Sequence, residues 1–285
     1  MIGAIIGDIV GSIYEFDNHR SKEFRFYKKD SAFTDDTVMT IAIADFHLNS
    51  IDKGITNEKR VLQSLSKWYN LYPDKSYGSG FRRWVSGITK ENIHDYPYQK
   101  SYGNGAAMRI SPIGDISHNV DVALEYAELV TKCSHGHAEG IKGAQATSLA
   151  IFLAKIGCSK KNIKNQIEFQ FNYDLEFTID YLREEYEFNE TSQNTVPQAI
   201  FCFLESEDFE DAIRTAISIG GDSDTLAAIT GGIAEAYYKD IPEWILRGAL
   251  RRLPKDMKDI ISIWYNKPEI RTAYQRITEK INKLL

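Results

Sequence analysis

Apolar residues along the chain recur mainly at three- and four-residue intervals, the spacing that lines one face of an α-helix, and alternating apolar and polar runs are scarce. Phe209, Ala212, Ile213, Ala216 and Ile217 form one such stripe, and Leu226, Ile229, Ile233 and Tyr237 form another. Similar patterns predict helices over approximately 3–15, 37–49, 57–71, 121–132, 138–156, 160–170, 241–251 and 255–283. Boundary residues agree with the pattern. Asp208 can cap a helix that Gly220 and Gly221 would stop, and Pro197 sits where a first helical turn tolerates it. The expected fold class is all-α. No Pro-, Gly- or Ser-rich linker divides the chain and no repeat recurs at a solenoid-like period, so one domain over 1–285 is expected. The weakest pattern covers residues 172–195, which read as a peripheral excursion, a lid or a solvated surface segment.

Composition narrows the classes. A chain of 285 residues that is 43% hydrophobic and 26% charged can bury a core and does not fit a disordered protein. Its 34 basic and 40 acidic residues give a net charge of -6, so no global positive field gathers a nucleic-acid backbone. No apolar run approaches the roughly 20 residues of a membrane span, and the N-terminal MIGAIIGDIV lacks a positive flank, so a cytoplasmic location is expected. Cys133, Cys158 and Cys202 are far apart and form no CxxC pair, which fits core thiols better than a disulfide framework or a zinc site.

Chemistry enters through clusters of polar residues beside apolar helices. Gly3, Gly7 and Gly11 recur every fourth residue inside a helical pattern, which lets another backbone approach and is unlike a dinucleotide fingerprint. Asp8 and Glu15 are two turns apart and would share a face of that helix, a pair that by itself fits capping or salt bridging better than a site. Thr34-Asp35-Asp36-Thr37 precedes one apolar helix and Asp222-Ser223-Asp224-Thr225 precedes another. Thr and Asp cap helices, and acids suit the positive end of the helix dipole. One cap, however, needs one side chain, and neighbouring carboxylates repel unless a positive charge lies between them. Two such doubled clusters point to a cation. With oxygen ligands and no His or Cys inside either cluster, Mg²⁺ or Mn²⁺ fits better than Zn²⁺, and four carboxylates plus Glu15 could hold two ions.

Two further segments each admit a functional and a plain reading. The run Ser101-Tyr102-Gly103-Asn104-Gly105 fits a loop aiming backbone N–H groups at a phosphate, and equally an ordinary glycine turn between helices. Ser134-His135-Gly136-His137 contains the only close histidine pair; without a third ligand nearby it reads as a loop ahead of the helix that starts near Ala138.

In combination and in this order, GAIIGDIVGSIYE, FTDDT, SYGNGAAMR, SHGHAEG and GGDSDT resemble the motifs of the ADP-ribosylglycohydrolase family. That family includes dinitrogenase reductase-activating glycohydrolases and arginine- and serine-type ADP-ribosyl-acceptor hydrolases. The resemblance runs from Gly3 to about Gly232; residues 172–195 and the helices after about 238 carry no matched motif. It implies a compact all-α, single-domain helical bundle with a binuclear Mg²⁺ or Mn²⁺ centre at the mouth of a cleft for ADP-ribose. Thr34, Asp35 and Asp36 would then be the first metal cluster and Asp222, Asp224 and Thr225 the second, with Glu15 beside the metals and the scissile bond. Ser101, Tyr102, Gly103, Asn104 and Gly105 match the loop that holds the pyrophosphate and the neighbouring ribose, and His135 matches the histidine that faces the ligand. The implied reaction releases ADP-ribose from a modified arginine or serine of a protein, or from a small acceptor, with Glu15 as the acid/base group and Asp35 or Asp36 as the second choice. Hydrolysis of esters such as O-acetyl-ADP-ribose, or non-catalytic, crystallin-like binding of ADP-ribose, are the alternatives. The filled acidic positions favour an enzyme.

Overall fold

The structure, a computed structural model, describes residues 1–49 and 57–285. Among these residues it contains sixteen α-helices and no β-strand, only two isolated bridges. In chain order the helices are α1 (Ile2–Gly11), α2 (Asp35–Leu48), α3 (Asn57–Leu71), α4 (Ser79–Ser86), α5 (Ser111–Ile116), α6 (Val120–Thr131), α7 (Ala138–Lys155) and α8 (Lys160–Phe171). The second half adds α9 (Ile179–Glu185), α10 (Ser192–Leu204), α11 (Phe209–Ser218), α12 (Ser223–Tyr238), α13 (Glu243–Leu250), α14 (Lys255–Asn266), α15 (Pro268–Ala273) and α16 (Gln275–Leu284). No described helix is long and apolar enough to cross a membrane.

The pair α1 and α12 forms the centre. Every residue of α1 is buried, and α12 is buried from Ser223 to Ala236. A helix that is apolar on all sides belongs inside a protein. The glycines of α1 set how close the two come. A β-carbon at Gly3, Gly7 or Gly11 would lie 2.2 Å from Gly231 O, 2.0 Å from Ala227 O and 2.4 Å from Asp224 Cα. Rising numbers on α1 thus meet falling numbers on α12, and the helices run antiparallel with their backbones in contact. Around them pack α2 beside α1, and α7, α10 and α11 beside α12.

Buried charge closes one end of this pair. The Met1 amino group is ion-paired with Asp115 and Glu235, each at 2.7 Å and each fully buried. Glu235 also accepts from the Gly3 N–H at 2.7 Å and from the Tyr265 hydroxyl, and Asp115 accepts from the Tyr274 hydroxyl at 2.6 Å.

Three expectations from the pattern are corrected. The first helix ends at Gly11 rather than near 15, so Asp8 and Glu15 do not share a helix face. Beyond Gly11 the chain turns, and the Asn18 amide, rather than a continuing helix, takes the carbonyls of Tyr14 and Glu15. Pro197 lies inside α10, not in its first turn. That helix starts earlier because Ser192 N–H finds the Tyr102 carbonyl at 2.9 Å. The expected helix over 255–283 is three, since Pro268 opens α15 and Tyr274 separates α15 from α16. Residues 172–195 lie largely at the surface, as expected, but include α9 and are anchored by the buried Leu175, Leu182 and Tyr186. Cys133 and Cys202 are buried free thiols, and Cys158 is half-buried.

Candidate active site

The antiparallel seam carries the end of α1 to the start of α12, and Asp8 brings in the start of α2. Fully buried on α1, Asp8 accepts N–H groups of Thr34 and Thr37, each at 3.0 Å, together with both threonine hydroxyls. It therefore satisfies the N-terminal donors of α2 from another helix, a task usually met by a local cap. This leaves the Asp35 and Asp36 side chains free to face the cleft that they line. Thr34 is used up in the same arrangement: its oxygen accepts from Asp36 N–H at 3.3 Å and its proton goes to Asp8, and it does not line the cleft.

At the start of α12 the chain passes through Gly220 and Gly221 with φ of +76° and +74°, a conformation that favours glycine. The Asn18 side chain pairs with both backbone groups of Gly221, at 2.8 and 2.9 Å, which ties the Glu15 turn to the approach to α12. Asp222 occupies the cap position without a capping bond from its side chain. Its Oδ2 accepts instead from Asn104 Nδ2 at 2.8 Å. Glu15, Asp222 and Asp224 each place a carboxylate oxygen within 4.8 Å of the others. Thr225 donates to Asp36 at 3.1 Å and so joins the two acid clusters.

The five carboxylates of Glu15, Asp35, Asp36, Asp222 and Asp224 form no ion pair among the described residues. Burial, and then neighbouring carboxylates, push Glu15 up to about 8. The same two causes raise Asp35 to about 7, and hold Asp36 and Asp224 well above the usual range. Burial also raises Asp222, against hydrogen bonds that favour its charge. An all-oxygen set of buried, mutually repelling carboxylates with a threonine hydroxyl is suited to a hard divalent cation.

The glycine loop lines the same cleft and touches the acid cluster through Asn104. The cleft has a volume of about 240 Å³, and Ser101, Gly103, Asn104, Gly105 and His135 are among its lining residues. A 3₁₀ turn at Asn104–Ala106 shapes the loop. Ser192 Oγ donates to Gly103 O at 2.8 Å and Asn104 N–H donates to Glu190 O at 2.8 Å, so residues from the weakly patterned segment hold it. Tyr102 is turned away: it is 52% exposed, its ring lies 5.6 Å from that of His137, and it does not line the cleft. The two histidines diverge as well. His137 caps α7 by accepting from Glu139 N–H at 3.1 Å, whereas His135 is buried against the loop, where a β-carbon on Gly105 would lie 3.0 Å from its Nε2.

Several lining or supporting residues escape a reading of the sequence. Glu190 and Phe81 line the cleft, and neither sits in a patterned motif. Arg109 also lines it, at the end of the SYGNGAAMR run. Asp8 left one signal, a charge inside an otherwise apolar helix, but its partner was 26 residues away.

These features define an all-α protein with a cleft where the N-termini of α2 and α12 meet, lined by an acid cluster and by a loop rich in glycine and hydroxyl groups. The profile of the ADP-ribosylglycohydrolase family matches residues 1–273, and the chain belongs to that family. ADP-ribosylhydrolase ARH3 of Mus musculus is 25% identical, with 85% of this chain and 84% of the relative aligned. ADP-ribosylarginine hydrolase Tri1 of Pseudomonas putida is 24% identical over 91% of this chain and 76% of its own. A solved chain described as an ADP-ribosylglycohydrolase-related protein complex has the same fold, with a TM-score of 0.66 at 21% identity, over 96% of this chain and 95% of that one.

Proposed function

We propose that the protein is a metal-dependent hydrolase that releases ADP-ribose by cleaving the bond at the anomeric carbon of the ribose distal to adenine. The observation that carries this reading is the meeting of Asp35 and Asp36 with Asp222, Asp224 and Glu15 in a cleft that Ser101, Gly103, Asn104 and Gly105 also line. The four aspartates and Thr225, with Glu15 beside them, are the groups that would hold two Mg²⁺ or Mn²⁺ ions, which when bound supply charge to orient the ribose hydroxyls and a water. The Ser101, Gly103, Asn104 and Gly105 loop, with His135, takes the pyrophosphate and adjoining ribose, and that remote binding positions the reacting carbon.

Cleavage of a glycosidic bond passes through an oxocarbenium-like state and needs a carboxyl group to protonate the leaving group or to take a proton from water. Glu15 is assigned that role. Among the five carboxylates it alone is half-buried, so it can exchange protons with the leaving group and solvent while the four aspartates are enclosed. The electron pair of the broken bond leaves with the acceptor, and the water oxygen becomes the anomeric hydroxyl of ADP-ribose. The relatives named as an ADP-ribosylhydrolase and an ADP-ribosylarginine hydrolase support ADP-ribose joined to an acceptor such as arginine as the substrate class. Incubation with arginine-linked, serine-linked and acetyl-linked ADP-ribose in Mg²⁺ or Mn²⁺ tests the reading, with free ADP-ribose as the expected product. Binding of ADP-ribose with no release from any of the three would make the protein a binder, and neither binding nor release would overturn the assignment.

A further inference from the structure

Arg109 is 1% exposed and has no ion pair among the described residues. Its Nη2 donates to Ser134 Oγ at 2.6 Å and to Val130 O at 3.4 Å, while its Nε is buried without a partner. A buried guanidinium with no carboxylate is costly to keep, so what it donates to matters. Ser134 Oγ lies 2.9 Å from His135 Nδ1 and 3.3 Å from the Thr131 carbonyl. Arginine can only donate, so it occupies a lone pair of the serine oxygen and leaves one hydroxyl proton to place. The nearer acceptor is His135 Nδ1.

If Nδ1 accepts, the imidazole carries its proton on Nε2, since the bond made by one ring nitrogen sets the state of the other. That second nitrogen faces Gly105 in the glycine loop. The ring plane is fixed by Phe81, which stacks on His135 at 6.3 Å and 29° and also lies 5.8 Å from the Arg109 guanidinium. We propose that Arg109 and Ser134 are positioning residues that hold His135 as the neutral Nε2–H tautomer, a hydrogen-bond donor presented to the phosphate-bearing part of the ligand. Burial, and then the charge of Arg109, push the His135 pKa well below its ordinary value, which agrees with a neutral ring. The tautomer follows from this chain alone; only the identity of the ligand rests on the proposed function.

The test is the ring ¹⁵N spectrum of ¹⁵N-histidine-labelled protein without ligand, with His135→Asn assigning the signal among six histidines. Wild-type protein at neutral pH is expected to show Nε2–H. Ser134→Ala should lose the single-tautomer pattern, and Ser134→Thr, which keeps the hydroxyl, should restore it. ADP-ribose affinity by calorimetry should fall about tenfold in Ser134→Ala, the effect of one lost hydrogen bond, and recover in Ser134→Thr. An Nδ1–H signal in the wild type, which needs no variant to read, or an unchanged tautomer in a folded Ser134→Ala, overturns the proposal. The expected tautomer in a protein that binds no ADP-ribose would uphold the relay and overturn the assigned ligand.

Discussion

Gly7→Ala puts a methyl group into the seam that assembles the site. Its β-carbon would sit 2.0 Å from Ala227 O, 2.2 Å from Ala227 C and 2.6 Å from Ala228 N. All three are backbone atoms of a buried helix, so no side chain can swing aside. To restore ordinary contact the helices must part by more than about 1 Å, which weakens dispersion contacts along the whole seam. Overpacking in a tight core costs typically about 1–3 kcal/mol, and a backbone-to-backbone clash belongs at or above the top of that range. Alanine's better helix propensity returns up to about 1 kcal/mol. The expected net loss is about 2 kcal/mol, or roughly 3 °C in Tm for a chain of 285 residues. Urea unfolding followed by circular dichroism measures it, with Gly80→Ala as the control, because a β-carbon at Gly80 meets nothing within 4 Å. The displacement should also separate Glu15 from Asp222 and Asp224 and weaken Mg²⁺ or Mn²⁺ binding. A Gly7→Ala protein as stable as wild type would refute the close seam.

Other outcomes follow from the same geometry. Glu15→Gln keeps the shape but removes the exchangeable proton, so kcat should fall by about 10²–10⁴ while ADP-ribose affinity holds; turnover at the wild-type rate would pass the role to Asp35 or Asp36. Asn104→Ala removes a donor to Asp222 and Thr195 as well as a cleft group, and ADP-ribose binding should weaken by roughly 1–3 kcal/mol in a calorimetric titration. Mg²⁺ or Mn²⁺ should raise Tm, by the equivalent of about 2.7 kcal/mol at a hundredfold excess over Kd, and EDTA should reverse this; an Asp36→Asn, Asp222→Asn double variant should not respond. His135, held well below its ordinary 6.5, stays neutral in the fold where the unfolded chain takes up a proton. Its contribution is therefore complete above about pH 6.5 and declines as pH falls, by up to about 1.4 kcal/mol per pH unit, so His135→Gln should flatten that part of the stability profile; identical acid slopes would show a protonated native ring.

The sequence pattern places elements well where local signals act alone. The helix expected over 57–71 is observed as Asn57–Leu71, and the one expected over 160–170 as Lys160–Phe171, capped by Ser159 onto Asn162 N–H. It fails where distant groups decide. Nothing near Gly11 announces the end of α1, because the bonds that turn the chain come from Asn18 and from Gly221 across the molecule. The start of α10 likewise depends on the Tyr102 carbonyl, and Pro197 then sits mid-helix against local preference. The acid clusters were legible since two carboxylates exceed what one cap requires. That they would meet was expected from the doubled carboxylates and the family resemblance; the means was not legible, for it depends on the seam and on Asp8 capping α2 from α1. Thr34 and Tyr102 sit within matching motifs, yet one bonds into the scaffold and the other faces outward.

The two ends of the α1 and α12 pair treat buried acids differently, and the contrast bears on what the cleft is for. At one end Asp115 and Glu235 share the Met1 amino group and two tyrosine hydroxyls, so their charge is met by the protein itself. At the other end five carboxylates converge with no protein cation paired to them among the described residues. Clustering of this kind opposes folding, since like charges and burial both disfavour ionised carboxylates. The backbone contacts of Gly3, Gly7 and Gly11 hold the cluster together against that repulsion. Stability therefore resides in the apolar seam and the paired end, and the unpaired end is left to bind a cation together with the part of a ligand that faces it. Neutralising the cluster should accordingly stabilise the protein in chelator while abolishing its response to metal, so the Asp36→Asn, Asp222→Asn protein is expected to unfold at higher urea than the metal-free wild type. A lower midpoint would mean that these carboxylates hold the fold together rather than strain it.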